Sequence, residues 1–155
     1  MLFYSQQQLV SCFRQYLGDD LVALILFGSR ARGDARPDSD YDIFLLARNL
    51  PERPLERLLF VRRAIAAKFE EKIAITARTL EEFERGFPSL YLDLGLDGVV
   101  LYDTGDYMSR KLQHIQAIIR QAGLERKKLE HELSWEWKTP PKGPWEITWE
   151  GYREL

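Results

Sequence analysis

The sequence predicts an α/β fold, a small mixed β-sheet flanked by helices, and three observations lead there. The run Leu21–Phe27 is apolar throughout with no alternation, the pattern of a central strand covered on both faces. Further strand-like runs recur at 41–47, 72–77 and 99–102. Segments with helical spacing of apolar residues lie before and between these runs, and interleaved strands and helices build a sheet with helices packed on it.

Taken in order, residues 5–17 read as an amphipathic helix carrying Leu9, Val10, Phe13, Tyr16 and Leu17 on one side, broken by Gly18-Asp19-Asp20. After the first strand, residues 29–33 open a short helix, Arg36-Pro37-Asp38-Ser39 forms a loop, and 41–47 is the second strand. A Pro-containing linker at 49–54 leads to a helix over 55–70 with Leu58, Leu59, Val61, Ile65 and Phe69. The third strand occupies 72–77, and Thr79-Leu80-Glu81-Glu82 has the form of a helix-opening capping box. A helix over 88–96, a strand at 99–102 and a helix over 107–121 follow, the last with Leu112, Ile115, Ile118 and Ile119. Gly123 interrupts it, and the charge-rich stretch to about 133 reads as more helix. Finally, Trp135-Glu136-Trp137 and Trp145-Glu146-Ile147-Thr148-Trp149 flank Thr139-Pro140-Pro141-Lys142-Gly143-Pro144, which suggests a loose hairpin or an extended aromatic arm. The expected organisation is a core over 1–105, a C-terminal helical extension over 106–134 and an aromatic tail over 135–155, in one compact domain.

Composition narrows the functional classes. A chain of 155 residues with 45% apolar content has room for one core. Its formal net charge of −2 argues against non-specific duplex binding, which needs a basic excess. The single cysteine, Cys12, excludes an intramolecular disulfide and fits a reducing, cytoplasmic setting. It lies within an apolar helical pattern and reads as core filler. Met1 to Gln6 lacks the basic region and long apolar stretch of a signal peptide. Leu21–Phe27 is far too short to span a bilayer.

The chemistry concentrates at Gly28-Ser29-Arg30-Ala31-Arg32-Gly33 and Ser39-Asp40-Tyr41-Asp42. A strand that ends in a Gly-Ser turn presents N–H groups and a hydroxyl to phosphate oxygens. Carboxylates at i and i+2 on a strand share a face, so Asp40 and Asp42 can grip one hard cation. A phosphate cradle beside a divalent-metal site points to nucleotide chemistry. Tyr41 alternates away from the carboxylates and reads as packing.

The full pattern, Gly-Ser, ten residues, then Asp-x-Asp, with Ala31-Arg32-Gly33 and Ser39 in place, resembles the signature of the DNA polymerase β-like nucleotidyltransferases. The nearest branch is the minimal nucleotidyltransferases found beside HEPN-domain partners in prokaryotes. The resemblance covers roughly residues 5–105 and implies a polymerase β palm-like fold. It further implies transfer of a nucleoside monophosphate from a nucleoside triphosphate, with ATP the first candidate, to an acceptor hydroxyl with Mg²⁺. Gly28, Ser29, Arg32 and Ser39 would bind the nucleotide, and Asp40 and Asp42 would serve as catalytic metal ligands. Arg30 and Arg36 read as surface or salt-bridging residues before triphosphate ligands. In the minimal branch the implied role is that of an antitoxin acting on a HEPN toxin, here a second chain.

Active members usually carry a third acidic residue on the next strand. If Ile73 and Ile75 face the core, the other face presents Lys72, Ala74 and Thr76, and Ala74 takes that position. Glu70 and Glu71 precede the strand and read as solvated helix-end residues. A non-catalytic nucleotide- or partner-binding module of the same fold is therefore the alternative, and a small-molecule nucleotidyltransferase of the antibiotic-modifying kind a third. His114 and His131, seventeen residues apart with no Cys or Glu-x-x-His nearby, argue against a zinc site. Asp93, Asp97, Asp103 and Asp106 read as helix-end and turn residues. The four tryptophans, Trp135, Trp137, Trp145 and Trp149, either close the fold or form a partner-binding arm.

Overall fold

Leu21–Phe27 does form a covered central strand, β1, with its first six residues buried. The computed structural model that shows this describes residues 3–130 and 132–155, with the side chains of Phe3 and Tyr4 left aside. The expectations on Met1, Leu2 and His131 lie outside the described residues. The helix α1 (Phe3–Leu17) precedes β1, and α2 (Ser29–Arg32), β2 (Tyr41–Ala47), α3 (Pro54–Arg63) and β3 (Ile73–Thr79) follow. Next come α4 (Leu80–Arg85), α5 (Leu90–Asp97), β4 (Val99–Asp103) and α6 (Tyr107–Ala122). Two ribbons close the chain, β5 (Leu124–Leu129) with β6 (Glu132–Trp137) and β7 (Trp145–Thr148) with β8 (Gly151–Glu154).

The main sheet has the order β3-β2-β1-β4 and is mixed, as the sequence predicts: β1 runs antiparallel to β2 and β4, whereas β2 and β3 are parallel. One face packs Leu24, Leu26, Ile43 and Leu45 against Leu9 and Phe13 of α1 and Val61 of α3. The other packs Val22, Ile25, Phe44 and Leu46 against α4, α5 and α6 through Phe83, Tyr91, Leu94, Met108 and Ile115. Both middle strands are apolar on both faces, which is why neither alternates.

The capping box at Thr79 is present in both directions: the Glu82 N–H donates to Thr79 Oγ1 at 3.1 Å and the Thr79 N–H to Glu82 Oε1 at 3.0 Å. It turns the chain from β3 into α4 and brings Phe83 into the core. Thr79→Ala is expected to cost about 1 kcal/mol, a fall of about 2–4 °C in Tm by calorimetry.

Three expectations are corrected. The helix over 55–70 ends at Arg63, because residues 64–68 turn and Ala67 takes φ +57°, outside helical geometry. Leu58 and Leu59 stay exposed while Val61, Ala64 and Ile65 are buried. The stretch from Gly123 to about 133 is no helix. Gly123, at φ +69°, ends α6, and Leu124–Leu129 pairs antiparallel with Glu132–Trp137. Its inward alternate includes a charged residue, Arg126, so hydropathy shows no period of two. The two Trp-containing runs do not pair with each other across the Pro/Gly loop. Each pairs with its near neighbour instead, Trp135 opposite Arg126 and Trp145 opposite Glu154, since short closures cost less chain entropy than longer ones.

Candidate active site

The site is built where β1 leaves the sheet and β2 enters it. Phe27 pairs with Asp42, so the turn after β1 lies against the first carboxylate of β2. Gly28 has φ +75° and ψ −160°, a backbone conformation almost confined to glycine. Its carbonyl accepts from the N–H groups of Ala31 and Arg32 at 3.1 and 3.0 Å. The N–H groups of Ser29 and Arg30 precede the first intrahelical bond and are left for a ligand or water. Gly33, at φ +87°, ends α2 after one turn.

A Cβ at residue 28 would collide with Asp42 Oδ2, so the glycine is needed twice, for its backbone angle and for room. Gly28→Ala is expected to destabilise the fold by more than about 1 kcal/mol, which thermal melting would check.

Asp40 and Asp42 lie two residues apart at the start of β2, Asp40 exposed and Asp42 half-buried. Burial raises the Asp42 carboxyl above the usual carboxylate range, and the Asp40 charge raises it further, partly offset by Arg32. Two crowded carboxylates fit a divalent cation. Among the described residues no cluster of three or more His, Cys, Asp or Glu side chains is placed to hold a metal. An ion gripped by this pair would therefore complete its shell from substrate phosphates and water, which is how Mg²⁺ is usually bound.

The neighbouring strand settles the register. Ala74 pairs with Asp42 and Thr76 with Phe44, so β3 offers a methyl group where a third carboxylate would stand. On that side of Asp40 opens a cavity of about 560 Å³, with Glu71, Lys72, Ala74, Arg62 and Phe69 in its wall. Glu71 is half-buried rather than solvated, and its Oε1 faces Ser5 Oγ at 3.4 Å.

The other candidates separate. Arg30 is structural: its Nε and Nη2 donate to the Ser39 carbonyl at 3.3 and 3.0 Å, and its guanidinium lies 4.6 Å from the ring centre of Tyr41. Tyr41 is buried, as expected. The Ser39 hydroxyl accepts from the Arg36 N–H at 2.8 Å, closing the loop before Asp40, and keeps its proton to donate. Arg32 points back into the protein, with Nε 3.3 Å from Asp34 Oδ2 and Nη1 3.1 Å from Asp97 Oδ2.

Sequence reasoning missed the surroundings of Asp97. It ends α5 as expected, but it is nearly buried and takes a bidentate ion pair from Arg126, with Asp93 joining at 3.1 Å. Asp97 and Asp93 lie 29 and 33 residues before Arg126, with no local signal linking them to it. Asp103 caps α6, accepting from the N–H groups of Met108 and Ser109. His114 stacks on Trp149 and places Nε2 2.6 Å from its carbonyl. The tryptophans pack back on the fold: Trp135 Nε1 donates to Asp93, Trp149 Nε1 to the Phe83 carbonyl, and Trp137 meets Trp145 edge-on. Trp145 stays half exposed. No helix among the described residues is long and apolar enough to cross a membrane.

With this geometry in view, comparison with known proteins is informative. Residues 7–104 match the family described as Polymerase beta, Nucleotidyltransferase. A protein of Methanocaldococcus jannaschii named "Putative protein adenylyltransferase" is 32% identical over 113 residues, covering 70% of this chain and 76% of that protein. Among solved structures, a chain of a toxin–antitoxin crystal structure with AMP-PNP superposes with a TM-score of 0.54 at 17% identity, over 75% of this chain and 87% of that one. A chain from the complex of tri-AMPylated Shewanella oneidensis HEPN toxin with MNT antitoxin gives 0.52 at 16% identity, over 78% and 88%. At such identities these two show a shared fold.

Proposed function

This chain belongs to the polymerase β nucleotidyltransferase family, and we propose that it moves AMP from ATP to a hydroxyl on a HEPN-domain protein, as the antitoxin of that pair. The observation that carries the reading is the Asp42 carboxylate seated against Gly28, with Asp40 beside it at the start of β2. Adenine and a polypeptide acceptor are supported by the adenylyltransferase relative and by the two toxin–antitoxin structures. A triphosphate substrate and the free thiol of Cys12 suit the cytoplasm.

The site has two sides. Gly28 and Ser29 lie on the β1 side of the Asp-x-Asp pair, and the 560 Å³ cavity lies on its β3 side. Ser29, the free N–H groups of the turn, Arg32 and the Ser39 hydroxyl bind the triphosphate over the turn, leaving the cavity for the acceptor. A divalent ion held by Asp40 and Asp42, Mg²⁺ in this reading, supplies charge neutralisation for the phosphates. The acceptor oxygen bonds to the α-phosphorus, the bridging α–β P–O bond breaks, and pyrophosphate leaves on the Gly28 side. The acceptor proton passes to water, because β3 offers no carboxylate beside Asp42 at Ala74.

The test is α-phosphate-labelled ATP with Mg²⁺ and a co-expressed HEPN-domain protein, followed by mass spectrometry of the acceptor. Label on the partner supports the proposal, and label from another triphosphate would correct the base. The methyl group at Ala74 favours a second reading, a nucleotide-binding module that blocks its partner without chemistry. Nucleotide binding with no label transferred from any triphosphate would establish that second reading instead.

A further inference from the structure

Arg32 and Arg126 share one carboxylate, and they are held very differently. Arg126 Nη1 and Nη2 lie 2.8 and 2.7 Å from Asp97 Oδ2 and Oδ1, a two-pronged pair with 8% of its side chain exposed. Arg32 reaches Asp97 through a single nitrogen at 3.1 Å and Asp34 through another at 3.3 Å, with 24% exposed. Bidentate pairs are the stronger and geometrically stiffer kind. Of the two guanidiniums, Arg32 is the one able to leave. It is also the one at the site, its own N–H donating to the carbonyl of Gly28, the residue that packs against Asp42, at 3.0 Å.

Both carboxylates that hold Arg32 have a second cation, and both cations come from β5. Asp97 has Arg126, and Asp34 Oδ2 has Lys128 Nζ at 3.2 Å. Arg126 and Lys128 stand at i and i+2 of one strand and so share a face. If Arg32 turned away, Asp97 would keep two of its three arginine contacts and Asp34 would keep its lysine. No nearly buried carboxylate would be left unpaired, which is the costly outcome in such networks.

We propose that Arg32 is parked on Asp34 and Asp97 in the nucleotide-free protein and swings to the triphosphate, while Arg126 and Lys128 hold the two carboxylates it leaves. Arg126 and Lys128 are positioning residues that set nucleotide affinity through Arg32. Both lie beyond residue 104, where the family match ends. This rests on the nucleotidyltransferase reading above and adds to it a role for the C-terminal ribbon.

The experiment is calorimetric titration of the full chain with Mg²⁺ and a non-hydrolysable ATP analogue, with melting curves for each variant. Arg32→Ala is expected to weaken binding about tenfold. Arg126→Met makes Arg32 the sole arginine on Asp97 and is expected to weaken binding severalfold. Adding Asp97→Asn should restore it to within about twofold of wild type, and in the Arg32→Ala background Arg126→Met should add nothing. Lys128→Ala, at an exposed lysine, is expected to weaken binding about two- to threefold, and it carries the test alone if Arg126→Met does not fold. Unchanged affinity in Arg126→Met and Lys128→Ala, or a loss that persists without Arg32, overturns the proposal. Wild-type protein that binds no nucleotide overturns the nucleotidyltransferase reading and this proposal together. Wild-type binding lost in Asp42→Asn but indifferent to Arg126 and Lys128 removes only the partner exchange.

Discussion

Asp42→Asn is expected to reduce nucleotidyl transfer by about 10³-fold or more and, without nucleotide or metal, to make the protein slightly more stable. The two effects share a cause. Burial and the neighbouring Asp40 raise the Asp42 carboxyl, so the ionised form is disfavoured in the folded chain relative to the unfolded one. A raised folded pKa contributes stability that is full below the unfolded value and is lost as pH rises through the folded value. At pH 7 to 8 wild type has lost that contribution, whereas an uncharged Asn has no such term. The variant should melt higher there, and the gap should narrow as the pH falls. Mg²⁺ should raise the wild-type Tm and leave the variant unmoved. Undiminished transfer by Asp42→Asn would place the chemistry elsewhere.

Trp149→Ala is expected to cost about 3 kcal/mol, lowering Tm by about 6–12 °C. The indole meets Phe83, Phe87 and Tyr91 with ring centres 5.0, 4.9 and 5.8 Å away. Lys111 Nζ lies 4.4 Å from its ring centre, and Nε1 donates to the Phe83 carbonyl at 2.9 Å. Truncation removes this aromatic contact and leaves that carbonyl short of a donor. Trp145→Ala, at a half-exposed ring, should cost under about 1 kcal/mol. Melting curves of the two variants separate a tail that closes the fold from an arm held out for a partner. Equal, small effects would favour the arm.

The sheet and the placing of Asp40 and Asp42 beside the Gly28 turn were legible because their causes are local. An unbroken apolar run declares a strand covered on both faces. A glycine followed by Ser-Arg-Ala-Arg-Gly marks the turn that leaves it, and Asp-x-Asp marks the entry of the next strand. Strand periodicity alone placed the two carboxylates on one face and Tyr41 on the other. The capping box at Thr79 needed only four residues to be read.

Tertiary structure decided what depends on partners far away in the chain. That Ala74 stands beside Asp42 follows from the parallel register of β2 and β3, which no short window contains. Glu71, read as solvated, lies in the wall of the cavity beside Asp40 because the chain turns after Arg63 instead of continuing as helix. The charged run after Gly123 read as helix because a strand whose inner face is charged has no hydropathy alternation. Only Asp93 and Asp97, waiting on α5, make burial of Arg126 affordable. Local sequence specifies backbone angles and faces; ion pairs, register and cavities arise when separate elements meet, and so does the setting of Arg32.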